Sequence, residues 1–216
     1  PNNFYMSAIP DSNHAAGDIV GMNWVYSATD TTLAVAGNSG TKYGKLGDNI
    51  VSICEFGSSG LLFGCDHSMV LLTGDPAFEN TVFKALSNSV GIVTPNAYAN
   101  STGRTLYFVG TDGMYRVDEN AFSIDESNKI SDGKLDRVFD QAEWDEMQPT
   151  IAFDHTRQGL WIFMTRTAAP LNSVHYFYHI PTDSFWPQVF NDPLFDGPLV
   201  VSEIRPDDQK SPYPVM

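Results

Sequence analysis

Cations are scarce in this sequence. Twelve Lys and Arg face 26 Asp and Glu over 216 residues, for a formal net charge of −14 and a pI near 4.4. Such a surface repels phosphates, which excludes sequence-specific reading of DNA. It does not exclude standing beside DNA. A wall of carboxylates lets a duplex pass without gripping it, because contact neutralises no phosphates and releases no counterions. The same charge also serves solubility, or life in salt.

Cysteine is nearly absent. Cys54 and Cys65 both lie in apolar, strand-like runs. They could form one disulfide, but they make no secreted disulfide framework, and they read as buried thiols of a reducing compartment. Cys54 and Cys65 followed by His67 do not match zinc-ligand spacing, so no metal is expected. Long apolar runs are missing too. Stretches such as 160–164 have the length of a strand, far short of the ~18 residues of a membrane helix.

Several chemical motifs are also lacking. There is no Gly-x-Ser-x-Gly elbow and no Gly-rich loop leading from a strand into a helix. "DESNK" and "DSNHAAGD" are carboxylate-rich turns without the EF-hand ligand order. "FDHTRQGLWIF" holds Asp154, Gly159 and Trp161 at the wrong intervals for the Asp-box turn of sialidases. Carboxylates cluster at Asp140, Glu143, Asp145 and Glu146, and at Asp118, Glu119, Asp125 and Glu126. Glycoside hydrolysis needs two carboxylates facing across a cleft, whereas an acidic chain produces such clusters as solvated faces. His175 and His179 share a strand face but stand ~13 Å apart at ~3.3 Å per residue, too far for one metal. Tyr176, Tyr178 and Ile180 form the other face and read as packing against a neighbouring sheet or subunit. No catalytic residue, cofactor or metal site is expected, and the chain reads as a non-enzyme.

What is present is β-structure. With 42% hydrophobic and 18% charged residues, the chain can fill one large core or two small ones, a balance that excludes disorder. "GRTLYFVGTDGMYRV" alternates apolar residues on both sides of Thr111–Asp112–Gly113, the pattern of a β-hairpin. "LLFGCDHSMVLLTGD", "TIAFDHTRQGLWIFMT" and "VHYFYHIPTDSFWPQ" repeat it. Over 49–75 three short strands separated by tight turns predict an antiparallel meander. Residues 82–100 are less regular, broken by Gly91 and Pro95. Equivalent runs begin near Leu61, Leu106 and Leu160, within the 40–50-residue range of propeller blades if one helical insertion is allowed.

That insertion is predicted near 133–147. Leu135, Val138, Phe139 and Ala142 recur at i, i+3, i+4 and i+7, Ser131 or Asp132 can cap the first turn, and Pro149 stops continuation. The fold class is therefore mainly β: antiparallel meander blades of a β-propeller, complete or partial, with a β-sandwich as the alternative. Residues 1–48 form a turn-rich segment with short strands, 49–190 the blades, and 191–216 a Pro-rich segment of strand edges and loops. "PNNFYMSAIPDS" has neither the basic nor the apolar region of a signal peptide. The expectation is an internal piece of a longer polypeptide, with a processed mature chain as the alternative.

The order of these elements resembles the β-propeller proteins of short-tailed bacteriophage tails, the nozzle (tubular tail) and hub or DNA-stabilisation proteins. The resemblance rests on "NIVSICEFGSSGLLFGCDHSMVLLTGDP", "SVGIVTPNAYANSTGRTLYFVGTDGMYRV", "ISDGKLDRVFD" with "AFDHTRQGLWIF", and "HYFYHIPTDSFWPQ". It covers roughly 49–188 and is a likeness of pattern, without catalytic residues to transfer. It implies a virion structural protein of the tail, assembled in the host cytoplasm. Its partners would be further copies in a ring, the portal or adaptor, other tail proteins, and passing DNA held without sequence preference. Asp118, Glu119, Asp125 and Glu126 then become candidates for lumen or subunit-contact loops. The competing readings are a carbohydrate- or receptor-binding β module, with Trp144, Trp161 and Trp186 as possible sugar platforms, and a glycoside-cleaving propeller. Trp161 and Trp186 fall in strand patterns and are expected in the core.

Overall fold

The computed structural model describes residues 46, 48–57, 60–73, 82–101, 104–167, 173–189, 198 and 201, together with the backbone of five further strands. Those five are β1 (Phe4–Ser7), β2 (Asn23–Ser27), β3 (Thr41–Lys45), β15 (Ser202–Ile204) and β16 (Tyr213–Val215). The carboxylate-rich turn "DSNHAAGD" lies outside the described residues. Between these ends run β4 (Ile50–Phe56), β5 (Gly60–Cys65), β6 (Met69–Thr73), β7 (Val82–Ser87), β8 (Tyr98–Asn100), β9 (Leu106–Val109) and β10 (Met114–Val117). The short helix α1 (Asp136–Asp140) follows, then β11 (Met147–Asp154), β12 (Gly159–Arg166), β13 (Val174–His179) and β14 (Ser184–Gln188).

Every sheet is a set of sequential antiparallel neighbours: β1-β2-β3, β4-β5-β6-β7, β8-β9-β10, β11-β12-β13-β14 and β15-β16. The molecule is thus mainly β, and the described sheets do not close into a barrel. The runs at Leu61, Leu106 and Leu160 are the second strands of three successive sheets. Pro149 and Pro187 sit in β11 and β14, the two edges of their sheet, where a missing backbone N–H breaks no internal ladder.

The three central sheets stack face to face. All four residues of β9 are buried. On one face Phe108 pairs with Tyr98 and Tyr115, stacking on Tyr115 at 5.1 Å, and the Tyr98 hydroxyl donates to the Ile53 carbonyl of β4 at 3.3 Å. On the other face the Tyr107 ring lies 6.3 Å from Tyr178 of β13. The outer sheets bury parts of their far faces as well. Phe63, Cys65, Val70 and Leu72 cluster against Leu46 and Ile50, and buried Thr165 donates to the Pro198 carbonyl at 3.0 Å. Tyr176 and Tyr178 join the main core, as the packing reading of that face anticipated.

Three hydrogen bonds join the sheets at or just beside their first strands. Asn100 of β8 donates to the Glu55 carbonyl of β4 at 3.0 Å. Ile151 N–H of β11 donates to the Asn96 carbonyl just before β8 at 3.0 Å, and Thr94 Oγ1 to the Pro149 carbonyl of β11 at 2.7 Å.

Two expectations need correction. The helix predicted over 133–147 is only the five residues of α1, set among turns. Gly133 at φ +67° prevents an earlier start. Ser131 does not cap it with its side chain: its hydroxyl accepts Met114 N–H at 3.0 Å, while its carbonyl accepts Lys134 and Leu135 N–H. Pro149 stops no helix, because β11 already begins at Met147. Within 82–100, six residues form the regular edge strand β7, making the first meander four-stranded.

Candidate functional site

The four acidic residues singled out in the sequence serve two separate loops. Asp118 accepts a hydrogen bond from Thr105 Oγ1 at 3.0 Å and lies 3.6 Å from Arg116. Glu119 pairs with Arg104 at 3.4 Å, beside the turn at Gly57. Together they tie the loop after β10 to the loop before β9. Next to them Glu55, Gly57, Asn100, Ser101 and Arg104 line a shallow open cleft. Asp125 instead caps its own turn. It accepts from Ser127 Oγ at 2.6 Å and Ser127 N–H at 2.9 Å, and its own N–H donates to Asn128 Oδ1. These bonds, the Ser127 side chain first, hold its carboxyl below the usual carboxylate range. Glu126 is exposed in the first turn of that 3-10 segment. Asp140, Glu143, Asp145 and Glu146 are also exposed, with Glu143 3.8 Å from Arg166.

Asp48, Asp66 and His67 were not grouped by sequence reading, yet they offer ligand-type atoms within 4.8 Å of one another at the β5–β6 turn. Asp48 is already engaged, accepting His67 N–H at 2.8 Å, Ser68 Oγ at 2.9 Å and Asn49 N–H at 2.9 Å. Burial works to raise its pKa, and these hydrogen bonds outweigh it to leave the net shift downward. The arrangement staples the turn to the strand beside it.

The cysteines are free and buried. Burial pushes the Cys54 thiol up to about 12 and the Cys65 thiol up to about 11. A thiolate is the reactive species, so at pH 8 the folded protein should leave an aromatic disulfide reagent unreduced. Two thiols per chain should react once denaturant is added; rapid titration of either in the native state would contradict the buried placement.

The aromatic residues depart from expectation. Trp186 is 58% exposed rather than in the core, and Trp161 is half-buried. Edge position explains Trp186: β14 has a neighbour on one side only. Its indole N–H donates to Ser184 Oγ at 3.1 Å, Ser184 Oγ lies 2.6 Å from Thr182 Oγ1, and Thr182 Oγ1 lies 2.7 Å from His179 Nδ1. Strand alternation could have put Ser184 and Trp186 on the face of His179, but not shown that Trp186 is exposed. Trp144 donates its indole N–H to the Thr111 carbonyl and rests on the core.

The turn beneath this row is held from the other side. Asp183 adopts φ +48°, an uncommon conformation for a residue with a side chain. Its carboxylate takes Lys134 Nζ at 2.7 Å and the Tyr178 hydroxyl at 2.8 Å. The Lys134 bond is the main reason its pKa is lowered. A lowered carboxylate pKa adds stability above the ordinary carboxylate range, and that stability is lost as pH falls through the folded-state value. Asp183→Asn keeps a residue tolerant of positive φ but removes the ion pair. Thermal melts should then show a small loss at pH 7, about 0.5 kcal/mol for so exposed a pair, and a shallower fall in stability between pH 5 and 3. An unchanged acid slope would show that the pair contributes nothing.

No protein-family model matches the chain, and no curated protein sequence matches it.

Proposed function

We propose that the chain is a structural, non-catalytic component of a ring around a DNA path, of the kind formed by tail nozzle or hub proteins of short-tailed bacteriophages. One observation carries the reading: successive meanders are hydrogen-bonded at or beside their first strands, β4 with β8 and the residues leading into β8 with β11, while β9 in the central sheet is buried on both faces. Propeller blades fan about an axis in this way, first strand innermost. A two-layer sandwich has no middle sheet, so the three-layer stack favours blades. The segment 129–130 lies outside β10, with Tyr115 bridged to Lys129 and Ile130 N–H bonded to the Met114 carbonyl. It stands where a fourth strand would complete the central blade.

The charge of −14 suits a wall that a duplex must slide past, since each neutralised phosphate would add salt-dependent affinity and slow transit. Rigid sheets with short edges suit a conduit under load. On this reading Asp118, Glu119, Asp125 and Glu126 are lumen or subunit-contact groups, and the partners are further copies, portal or adaptor and other tail proteins. A titration with duplex DNA at 20 mM salt tests it: binding should be weaker than about 10 µM and indifferent to sequence. Tight binding by the isolated chain would defeat the conduit reading.

A further inference from the structure

We infer that the β13–β14 hairpin carries a binding subsite for a neutral pyranose, with Trp186 as the stacking platform. Four features converge there, independently of the conduit reading. The indole is exposed, and its orientation is fixed by the bond from its N–H to Ser184. Beside it Ser184, Thr182 and His179 form a continuous polar row. The turn that holds the row is anchored from behind through Asp183 to Lys134 and Tyr178. A backbone at unusual φ, over-determined by its surroundings, is a common feature of ligand-binding turns.

Counting hydrogens defines the chemistry the row offers. Trp186 N–H donates to Ser184 Oγ, and with a neutral imidazole the Ser184–Thr182 and Thr182–His179 bonds leave two acceptors and one donor free whichever way their protons run. The site therefore presents a flat apolar ring bordered by two acceptors and one donor. A pyranose is the matching shape, with an apolar C–H face to lie on the indole and hydroxyls at its rim. A nucleotide could also stack, but its phosphate would meet a chain of charge −14.

The test is a two-dimensional NMR titration of the tryptophan indole N–H signals. The probes are the methyl glycosides of glucose, galactose, mannose and N-acetylglucosamine, each to 100 mM. At least one should shift the Trp186 signal with roughly millimolar affinity, as expected for so small a ligand at an open site. Trp186→Ala should abolish the response of the remaining protein signals, and Trp186→Phe should weaken it several-fold. Ser184→Ala, which frees the indole to rotate, should also weaken binding. Because Trp186 is exposed, its variants should melt at the wild-type temperature, separating loss of binding from loss of fold. No shift with any of the four sugars, shifts centred on Trp144 or Trp161, or a response to a short oligothymidylate alone would each overturn the inference.

Discussion

Replacing Gly91 with alanine should cost at least ~3 kcal/mol of stability, among the largest effects available from one added methyl group. Gly91 lies in the connection between β7 and β8, where the chain crosses the β5–β6 turn. A Cβ there would stand 2.1 Å from the Cys65 carbonyl oxygen and 2.4 Å from that of Asp66. Both obstacles are backbone, so no side chain can turn aside to make room. Yielding would break the bond from Ile92 N–H to the Cys65 carbonyl at 2.9 Å and lift buried Ile92 from the core. Gly133→Ala makes a useful contrast. Nothing lies within 4 Å of its added carbon, and only its φ of +67° opposes the change, a cost of about 1 kcal/mol. Urea unfolding of the two variants should separate them clearly. Equal midpoints would mean that the crossing is not as close as described.

Phe108→Ala should cost about 3–5 kcal/mol, the usual range for deleting a fully buried aromatic ring. Phe108 is 0% exposed and stacks on Tyr115 in the middle sheet. The face it occupies lies against β4, where Tyr98 reaches the Ile53 carbonyl. A cavity there would loosen the sheet-to-sheet contact as well as the sheet itself. The surface control is Phe122→Ala. Phe122 is 83% exposed, with Lys84 Nζ 4.6 Å from its ring, so its removal should change stability by no more than about 0.5 kcal/mol. A comparable loss in both variants would contradict a buried middle layer.

The hairpins were legible because period-two alternation survives wherever a strand buries one face and a turn residue ends it. The strand β4 is the plainest instance, with Ser52, Cys54 and Phe56 buried and Ile53 and Glu55 exposed. The strand β7 was not legible. In "VFKALS" Lys84 and the two exposed residues Val82 and Phe83 obscure the alternation, because an edge strand has weak demands on both faces. The long helix was a false reading of a true spacing. Leu135, Val138, Phe139 and Ala142 do pack on the core, but through turns on each side of α1, and Gly133 with positive φ carries no apolar signal to reveal the break. Among the candidate site residues, composition could name Asp118, Glu119, Asp125 and Glu126. It could not tell that Glu119 meets Arg104 while Asp125 bonds only within its own turn. Those partners depend on which loops the sheets bring together. Trp186 was misread because an aromatic in a strand signals the core, although Pro187 beside it already marks an edge strand.

Electron microscopy of the assembled protein tests the ring proposal most directly. Particles should show a closed ring of subunits with a central passage wide enough for a duplex, and in intact virions the density should lie on the tail axis. A lone monomer at micromolar concentration combined with density away from the tail axis would contradict the ring.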